Sequence, residues 1–214
     1  MKKIVVLISG RGSNLEAICK SGLAEHIECI ISNNPDAKGL EFAQIYKIPS
    51  AVVNSKLIKD KVLFEKQLIT VIDGFSPDLI VLAGFMKILS PEFIKYYQHK
   101  IINIHPSLLP AFKGKQAQLD AYNAKVKISG ATIHLVDELV DNGAIIAQGA
   151  VNISQCNNVD DVTQTILRLE HVIYPFVIKQ FINNKISFEN GIVQSQVNSS
   201  DMEELGEFKA RIYI

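Results

Sequence analysis

The chain has no excess of charge of either sign, because 22 lysine and arginine residues balance 22 aspartate and glutamate residues. A protein that holds a polyanion such as tRNA or DNA needs a positive field to neutralise phosphates and release their counterions. The composition therefore argues against nucleic acid as a partner. Any phosphate that the protein binds should be recognised locally.

Cysteines and long apolar segments are also scarce. Cys19, Cys29 and Cys156 are an odd number without metal-like spacing, which is typical of a reduced intracellular protein rather than of a disulfide framework. No apolar run approaches the ~20 residues that a membrane span requires, and the apolar start of the chain ends too early, at residues 9–11, for a signal peptide. We expect a cytoplasmic monomer or homodimer without a metal or a membrane contact.

The hydrophobic pattern predicts an α/β fold. The chain has 214 residues, of which 48% are hydrophobic, enough for one substantial core. Apolar runs without strict alternation indicate strands buried on both faces of a parallel sheet, and helical spacing between them predicts a single doubly wound domain, Rossmann-like in its N-terminal half. The predicted strands are 4–8, 28–31, 79–83 and 101–104, and then 128–136 and 144–151 in a mixed or antiparallel C-terminal extension. The predicted helices are 13–22, 38–47, 57–74, 116–124 and 159–183.

An amide and an imidazole stand two residues apart where the fourth apolar run ends. Asn103 and His105 would point to one face of a strand, because side chains alternate along it. Pro106 and Pro110 then stop the strand, so the pair would lie at the carboxyl end of a parallel strand, where ligands bind in open α/β sheets. An amide that donates to an oxyanion and an imidazole that titrates near neutral pH suit addition to a carbonyl. A turn-bonding Asn with a buried structural histidine is the alternative, and the pair alone favours it.

Residues 9–14, Ser-Gly-Arg-Gly-Ser-Asn, join the first predicted strand to a helix that Ser13 would cap, with Glu16 at the capping-box position. Free backbone N–H groups and the helix dipole favour an anion there, and two glycines let the backbone approach a phosphate. The turn is neither a Walker A loop nor a dinucleotide fingerprint, because Leu15 stands where the third glycine would be. A single terminal phosphate is the predicted ligand. A tight turn in which Ser13 or Asn14 only caps the helix is the alternative.

Three acids, Asp137, Glu138 and Asp141, stand in the loop that follows the strand predicted at 128–136. A carboxylate beside His105 would stabilise the charged imidazole and could pass a proton through water. On spacing alone, a plain solvated loop acid is the favoured interpretation of Asp141. His134, on an apolar strand, is better explained as a buried or supporting residue than as a base.

Five segments together resemble the glycinamide ribonucleotide formyltransferase family, folate-dependent enzymes of purine synthesis. The segments are residues 8–15, 82–90, 103–110, 134–143 and 170–175. The resemblance implies a formyltransferase domain over 1–190, with a phosphate- and nucleotide-binding half at 1–100 and a catalytic and folate-binding half at 101–190. A tail at 191–214 would either stay loose or pack as a last strand, over residues 208–214.

The resemblance implies that 10-formyltetrahydrofolate is the co-substrate and that its formyl group moves to the amino group of 5'-phosphoribosylglycinamide without a metal. Both implied partners are small molecules. The implied catalytic residues are Asn103, His105 and Asp141. The implied nucleotide-binding residues are Gly12, Ser13, Asn14 and Glu170. The implied folate-binding residues are Lys61, Met86, Lys87, Ile88, Leu89, Asn103, Asp137, Glu138, Leu139, Val140 and Asp141.

Three places depart from the family pattern. Residues 111–117 replace a Pro-Gly pair and histidines found in several relatives, which leaves Gln116 without an assigned role. Residues 142–144, Asn-Gly-Ala, replace a Gly-Gly-Pro or Thr-Gly-Pro sequence, so the loop has less backbone restriction. Leu167 stands where some members have a polar substrate contact, so Glu170 alone is carried over from that helix.

Other functions fit part of the pattern. Formyltetrahydrofolate hydrolase uses the same Asn-x-His and acidic-loop chemistry with water in place of the amine, but it usually carries an N-terminal regulatory domain and leaves the phosphate turn unexplained. Methionyl-tRNA formyltransferase adds a C-terminal nucleic-acid domain, for which we expect neither the length nor the positive charge here. A non-catalytic nucleotide-binding module would use the glycine turn and keep the Asn-His pair as structure.

Overall fold

The computed structural model describes residues 1–189 and 191–214, and the chain divides into two compact units, Met1–Ile102 and Asn103–Ile214. The predicted domain end at residue 190 lies outside the described residues. The strand β5 (Ile101–His105) begins in the first unit and ends in the second. Across residues 1–189 and 191–214, no helix is both long enough and apolar enough to cross a bilayer.

The first unit alternates strands with helices. Its other strands are β1 (Ile4–Ile8), β2 (Ile27–Ser32), β3 (Ser50–Val52) and β4 (Leu79–Leu82), and its helices are α1 (Ser13–Ile18), α2 (Leu40–Ile45), α3 (Lys61–Asp73) and α4 (Pro91–Tyr96). These four strands lie in the order β4, β1, β2, β3, and each neighbouring pair is parallel. All five residues of β1 are fully buried, as expected for a strand covered on both faces. The predicted parallel α/β class is therefore confirmed.

In the first unit, α3 begins at a side chain that caps it, whereas α1 does not begin at the cap that the sequence predicts. α3 begins after Asp60, whose carboxylate accepts a hydrogen bond from a first-turn backbone N–H at 2.9 Å. The predicted capping box of α1 is wrong, because Gly12 is the N-cap residue and no side chain of the described residues caps this helix. Ser13 lies inside the first turn, and Glu16 pairs with Lys20 one turn further along.

The first helix is also shorter than predicted. α1 ends at Ile18 and continues as a single π-helical turn over Cys19–Leu23. Gly22, the predicted end, adopts the left-handed conformation with φ 86° inside that turn. Glycine takes this conformation without a steric penalty, so the helical segment kinks at the predicted end, and a short 3-10 helix over Ala24–His26 follows the kink.

The second unit contains an antiparallel sheet and a long helix. Its strands are β6 (Ile128–Leu135), β7 (Ile145–Asn152), β8 (Ile186–Glu189), β9 (Ile192–Ser195) and β10 (Ile212–Tyr213), and its helices are α5 (Ala117–Asn123) and α6 (Val159–Ile182). β6 and β10 both pair with β7 in antiparallel fashion, and β8 pairs with β9. α6 packs on β6 and β7, as its wide buried face requires. Its predicted start is confirmed, because the Asn158 side chain accepts from the Asp161 N–H at 2.8 Å.

The end of the chain is mostly helical rather than extended. A 3-10 helix covers Asp201–Arg211, and only Ile212 and Tyr213 form a strand. The Lys179–Glu204 ion pair connects this segment to α6. Ile212 is buried and lies against the edge of β7, so the backbone groups of that edge have partners where β10 runs.

Candidate active site

Polar side chains of the second unit gather where two apolar strands end. Asn103 and His105 lie in β5, and His134 lies near the end of β6. The side chain of His105 is 6% exposed and that of His134 is 3% exposed. The register of β6 against β7 shifts between Ile133 and His134, and such irregularities commonly re-aim a side chain beside a functional site.

Asp141 brings a carboxylate to both histidines. Its Oδ2 lies 3.4 Å from His105 Nδ1, and its Oδ1 lies 3.8 Å from His134 Nε2. Asp141 has a φ of 52°, in the left-handed region that aspartate tolerates better than most residues. Its side chain is only 11% exposed, so Asp141 is not the plain solvated loop acid that spacing alone favoured.

Both ring nitrogens of His105 face oxygen acceptors. Nε2 lies 2.8 Å from the carbonyl oxygen of Phe112, to which it must donate, and Nδ1 faces the Asp141 carboxylate. At 3.4 Å the contact of Nδ1 with Asp141 is an ion-pair distance rather than a short hydrogen bond. A ring with a proton on each nitrogen is positively charged, and the Asp141 carboxylate lies where it would be the counterion of that form inside a nearly buried site.

The loop 111–114, which sequence reasoning left without a role, holds both members of this pair. The Phe112 carbonyl orients the His105 ring, and the Gly114 N–H donates to Asp141 Oδ2 at 2.8 Å. Phe112 and Gly114 both have positive φ, 51° and 89° respectively. Lys113 donates to Asn142 Oδ1 at 2.9 Å, which connects the loop to the one that carries Asp141. Gly114 was the one signal in the sequence for such a turn.

His134 supports Asn103 rather than acting from a charged state. Its Nδ1 donates to the Leu135 carbonyl at 2.8 Å, and its Nε2 lies 3.3 Å from Asn103 Nδ2. Burial lowers the pKa of His134, against the opposing effect of the Leu135 carbonyl and of the Asp141 carboxylate. A neutral ring protonated at Nδ1 accepts at Nε2, so it takes one hydrogen of the Asn103 amide and leaves the other for a ligand.

The glycine turn of the first unit is packed against a second glycine. Gly12 has a φ of 75°, and a Cβ added there would lie 2.7 Å from the Cα of Gly39. The Gly39 N–H donates to the Gly10 carbonyl at 3.0 Å, and this hydrogen bond connects the turn to the start of α2. Sequence reasoning missed Gly39, and the presence of a glycine at the start of the helix predicted at 38–47 was the available signal. Ser13 is half-buried and Asn14 is buried in the first turn of α1.

The remaining residues implied by the resemblance lie at several places in the two units. In the first unit, Lys61 is the exposed first residue of α3, and Met86, Lys87 and Ile88 are exposed while Leu89 is buried in the segment after β4. In the second unit, Glu138, Leu139 and Val140 are exposed, and Asp137 accepts from the Leu139 N–H. Glu170 is buried in α6. Within the described part of the chain, no group of three or more His, Cys, Asp or Glu residues is arranged to hold a metal.

Comparison with known proteins identifies the class. The family model described as formyl transferase matches residues 2–178, and the chain belongs to this family. It is 41% identical over 191 residues to phosphoribosylglycinamide formyltransferase of Bacillus subtilis (strain 168), a match that covers 86% of this chain and 98% of the relative. The resemblance drawn from five sequence segments is therefore confirmed.

Two further relatives differ in length. The chain is 39% identical over 194 residues to the trifunctional purine biosynthetic protein adenosine-3 of Bos taurus; the match covers 88% of this chain and only 19% of that protein. A crystal structure of phosphoribosylglycinamide formyltransferase from Anaplasma phagocytophilum matches with a TM-score of 0.85 and 45% identity over 92% of this chain and 96% of that one.

Proposed function

We propose that this protein transfers the formyl group of 10-formyltetrahydrofolate to the amino group of 5'-phosphoribosylglycinamide. The products would be formylglycinamide ribonucleotide and tetrahydrofolate, in de novo synthesis of purine nucleotides (IMP). The family match and the names of the relatives support this substrate pair. The observation that carries the chemistry is the contact of 3.4 Å between the Asp141 carboxylate and His105.

The reaction needs a donor for a short-lived oxyanion. The substrate amine attacks the formyl carbon as the free base, and the carbonyl oxygen of the adduct becomes negatively charged. The Asn103 amide gives one hydrogen to His134 and keeps the second for this oxygen. Loss of one such donor costs about 3 to 4 kcal/mol in other enzymes.

His105 supplies the second donor in this proposal. Its Nδ1 is 3.4 Å from Asp141, longer than a charge-assisted hydrogen bond of about 2.7–2.9 Å, so the Nδ1 proton is available to the adduct. Asp141 then balances the charge of His105 and relays the proton of the attacking amine, through water, toward the leaving folate nitrogen.

The nucleotide phosphate is assigned to the turn formed by Gly12, Ser13 and Asn14, with Glu170 as a further nucleotide contact. The support is the position of this turn at the start of α1, where the first backbone N–H groups of a helix favour an anion. Gly12 keeps the turn in its left-handed conformation and packed on Gly39, where a Cβ would not fit. The folate is assigned to Lys61, to the segment 86–89 and to the loop 137–141. Most side chains of these segments are exposed, whereas Leu89 is buried and Asp137 and Asp141 are partly buried. A cytoplasmic location and a monomeric or homodimeric state stay predictions.

An absorbance assay of folate product with both substrates tests the proposal. We expect turnover that depends on glycinamide ribonucleotide and that is lost in His105→Ala. Release of formate without consumption of the nucleotide would instead indicate the hydrolase. Binding of the nucleotide without any folate-dependent turnover would indicate the non-catalytic module and contradict the proposal.

A further inference from the structure

A hydrogen-bond network runs along the carboxyl edge of the parallel sheet in the first unit. The Met86 N–H donates to Ser9 Oγ at 2.8 Å, the Ser9 hydroxyl donates to Asn33 Oδ1 at 2.5 Å, and Asn33 Nδ2 donates to Ser55 Oγ at 3.1 Å. These four residues follow β4, β1, β2 and β3, which is the order of the strands in the sheet. The carboxyl edge is where open α/β sheets bind ligands.

Each polar group of this hydrogen-bond network has a partner. The Asn33 amide turns its oxygen to Ser9 and its nitrogen to Ser55, and the Ser55 hydroxyl donates onward to the Asn33 carbonyl at 3.3 Å. Hydrogen bonds aligned in this way polarise one another, so removing an inner member weakens its neighbours as well. Asn33 is buried, which shields the inner bonds from water.

Ser9 is the member of this hydrogen-bond network that adjoins both candidate binding segments of the unit. It immediately precedes the glycine turn at 10–14, and the Asn34 side chain donates to its carbonyl at 3.4 Å. Its hydroxyl accepts from Met86, the first residue of the segment 86–89 assigned to folate.

The far end of that segment is held independently. The Ser90 N–H donates to Glu65 Oε1 at 2.7 Å, and the Ser90 hydroxyl donates to Glu65 Oε2. Glu65 is buried in α3, so these are charge-assisted bonds with little competition from water. The folate segment is therefore held at one end by Ser9 and at the other by Glu65, and Ser9 alone of these two adjoins the glycine turn.

We propose that Ser9 is a positioning residue that couples the nucleotide and folate sites of the first unit. Its hydroxyl fixes the start of the segment 86–89 against the strand end from which the glycine turn departs. This inference rests on the proposed function, because that function assigns a substrate to each segment. Loss of the Ser9 hydroxyl should therefore weaken the binding of both substrates, whereas loss of the hydrogen bonds of Glu65 should weaken the binding of folate alone.

The test compares Ser9→Ala with three other variants by calorimetric binding of glycinamide ribonucleotide and of tetrahydrofolate, with KM and kcat measured in parallel. For Ser9→Ala we expect both dissociation constants and both KM values to rise about fivefold, the factor that corresponds to one hydrogen bond of ordinary strength. Ser9→Thr keeps the hydroxyl and should restore most of the binding. Ser21→Ala is the matched control, because it removes a serine hydroxyl that donates to the Ile18 carbonyl at 2.8 Å and that does not belong to this hydrogen-bond network.

Glu65→Gln is the contrasting variant, because its amide leaves the Ser90 hydroxyl without an acceptor and should raise the folate constants only. An effect of Ser9→Ala on one substrate only, or on neither, overturns the coupling even if the wild-type enzyme turns over. Equal losses in Ser9→Ala and Ser9→Thr with equally lowered unfolding temperatures also overturn it. A wild-type protein that binds both ligands without formyl transfer refutes the proposed function, and weakened binding of both ligands by Ser9→Ala would then still support the coupling.

Discussion

Replacing Asp141 by asparagine removes one negative charge from the candidate site and little else. The amide has nearly the volume of the carboxylate, and its oxygen can still accept the 2.8 Å hydrogen bond from the Gly114 N–H. The side chain should therefore stay in place. What is lost is the counterion of His105 and the group that relays the proton of the amine.

The size of the effect follows from the geometry. A charge pair separated by 3.4 Å interacts by about 5 kcal/mol at an effective dielectric constant of about 20. Desolvation of two nearly buried groups offsets part of this energy, so we expect a loss of transition-state stabilisation of about 3 to 4 kcal/mol. That loss corresponds to a decrease in kcat of about 10² to 10³-fold, with a smaller change in KM.

Steady-state kinetics with both substrates measures this effect, and thermal unfolding checks that Asp141→Asn remains folded. Asp160→Asn is the matched control, because it makes the same chemical change at an exposed position in the first turn of α6. If Asp141→Asn turns over at a rate near that of the wild-type protein, Asp141 takes no part in the mechanism and the reasoning from its contact with His105 is wrong.

Three further predictions concern the turn, a buried histidine and the acidic loop. Gly12→Ala should raise the KM for glycinamide ribonucleotide more than the KM for folate, since its Cβ would lie 2.7 Å from the Cα of Gly39. Gly74→Ala is the control outside the turn and should bind both substrates normally, because its Cβ would make only ordinary contacts, the nearest at 3.4 Å. Equal effects of Gly12→Ala on both KM values would mean that the turn is only structural. Burial lowers the pKa of His134 in the folded protein below the ordinary histidine value of about 6.5. Unfolding therefore takes up a proton at a pH between these two pKa values, and stability should fall as the pH drops below about 6.5. Urea unfolding at several pH values should show that stability falls less toward acid pH in His134→Gln than in the wild-type protein. An unchanged pH dependence would contradict this account. Gly143→Ala should lower the free energy of unfolding by about 1 to 3 kcal/mol or more, because its Cβ would lie 1.8 Å from a backbone carbonyl oxygen, and urea unfolding equal to wild type would rule out this clash.

Elements with a strong local signal were predictable. The apolar runs at β1, β2 and β4 are long enough to identify buried strands, and Asn158 marks the start of α6 because an amide caps helices well. β3 has only three residues, without an apolar run, and becomes a strand through its pairing with β2. The hairpin of β8 and β9 was likewise missed, since pairing between short strands leaves little trace in composition.

The candidate site shows the same limit. Asn103 and His105 share a strand, so their common position followed from alternation. Their supports did not follow. The Gly114 N–H reaches Asp141 although the two residues are 27 positions apart, and Met86 reaches Ser9 across 77 positions. Both contacts involve a backbone N–H, which every residue except proline carries, so no residue type announces them.

The sequence by itself determined the alternating α/β architecture, the absence of a net charge and the chemistry that each polar side chain can perform. These properties depend on residue types and on spacing along a strand or a helix, and both are written in the order of the residues. Only the tertiary structure decided that Asp141 lies beside His105, that His134 accepts from Asn103 and that Gly39 packs on Gly12. Such contacts join distant parts of the chain, and they arise only when the packing of the core brings the ends of the strands together.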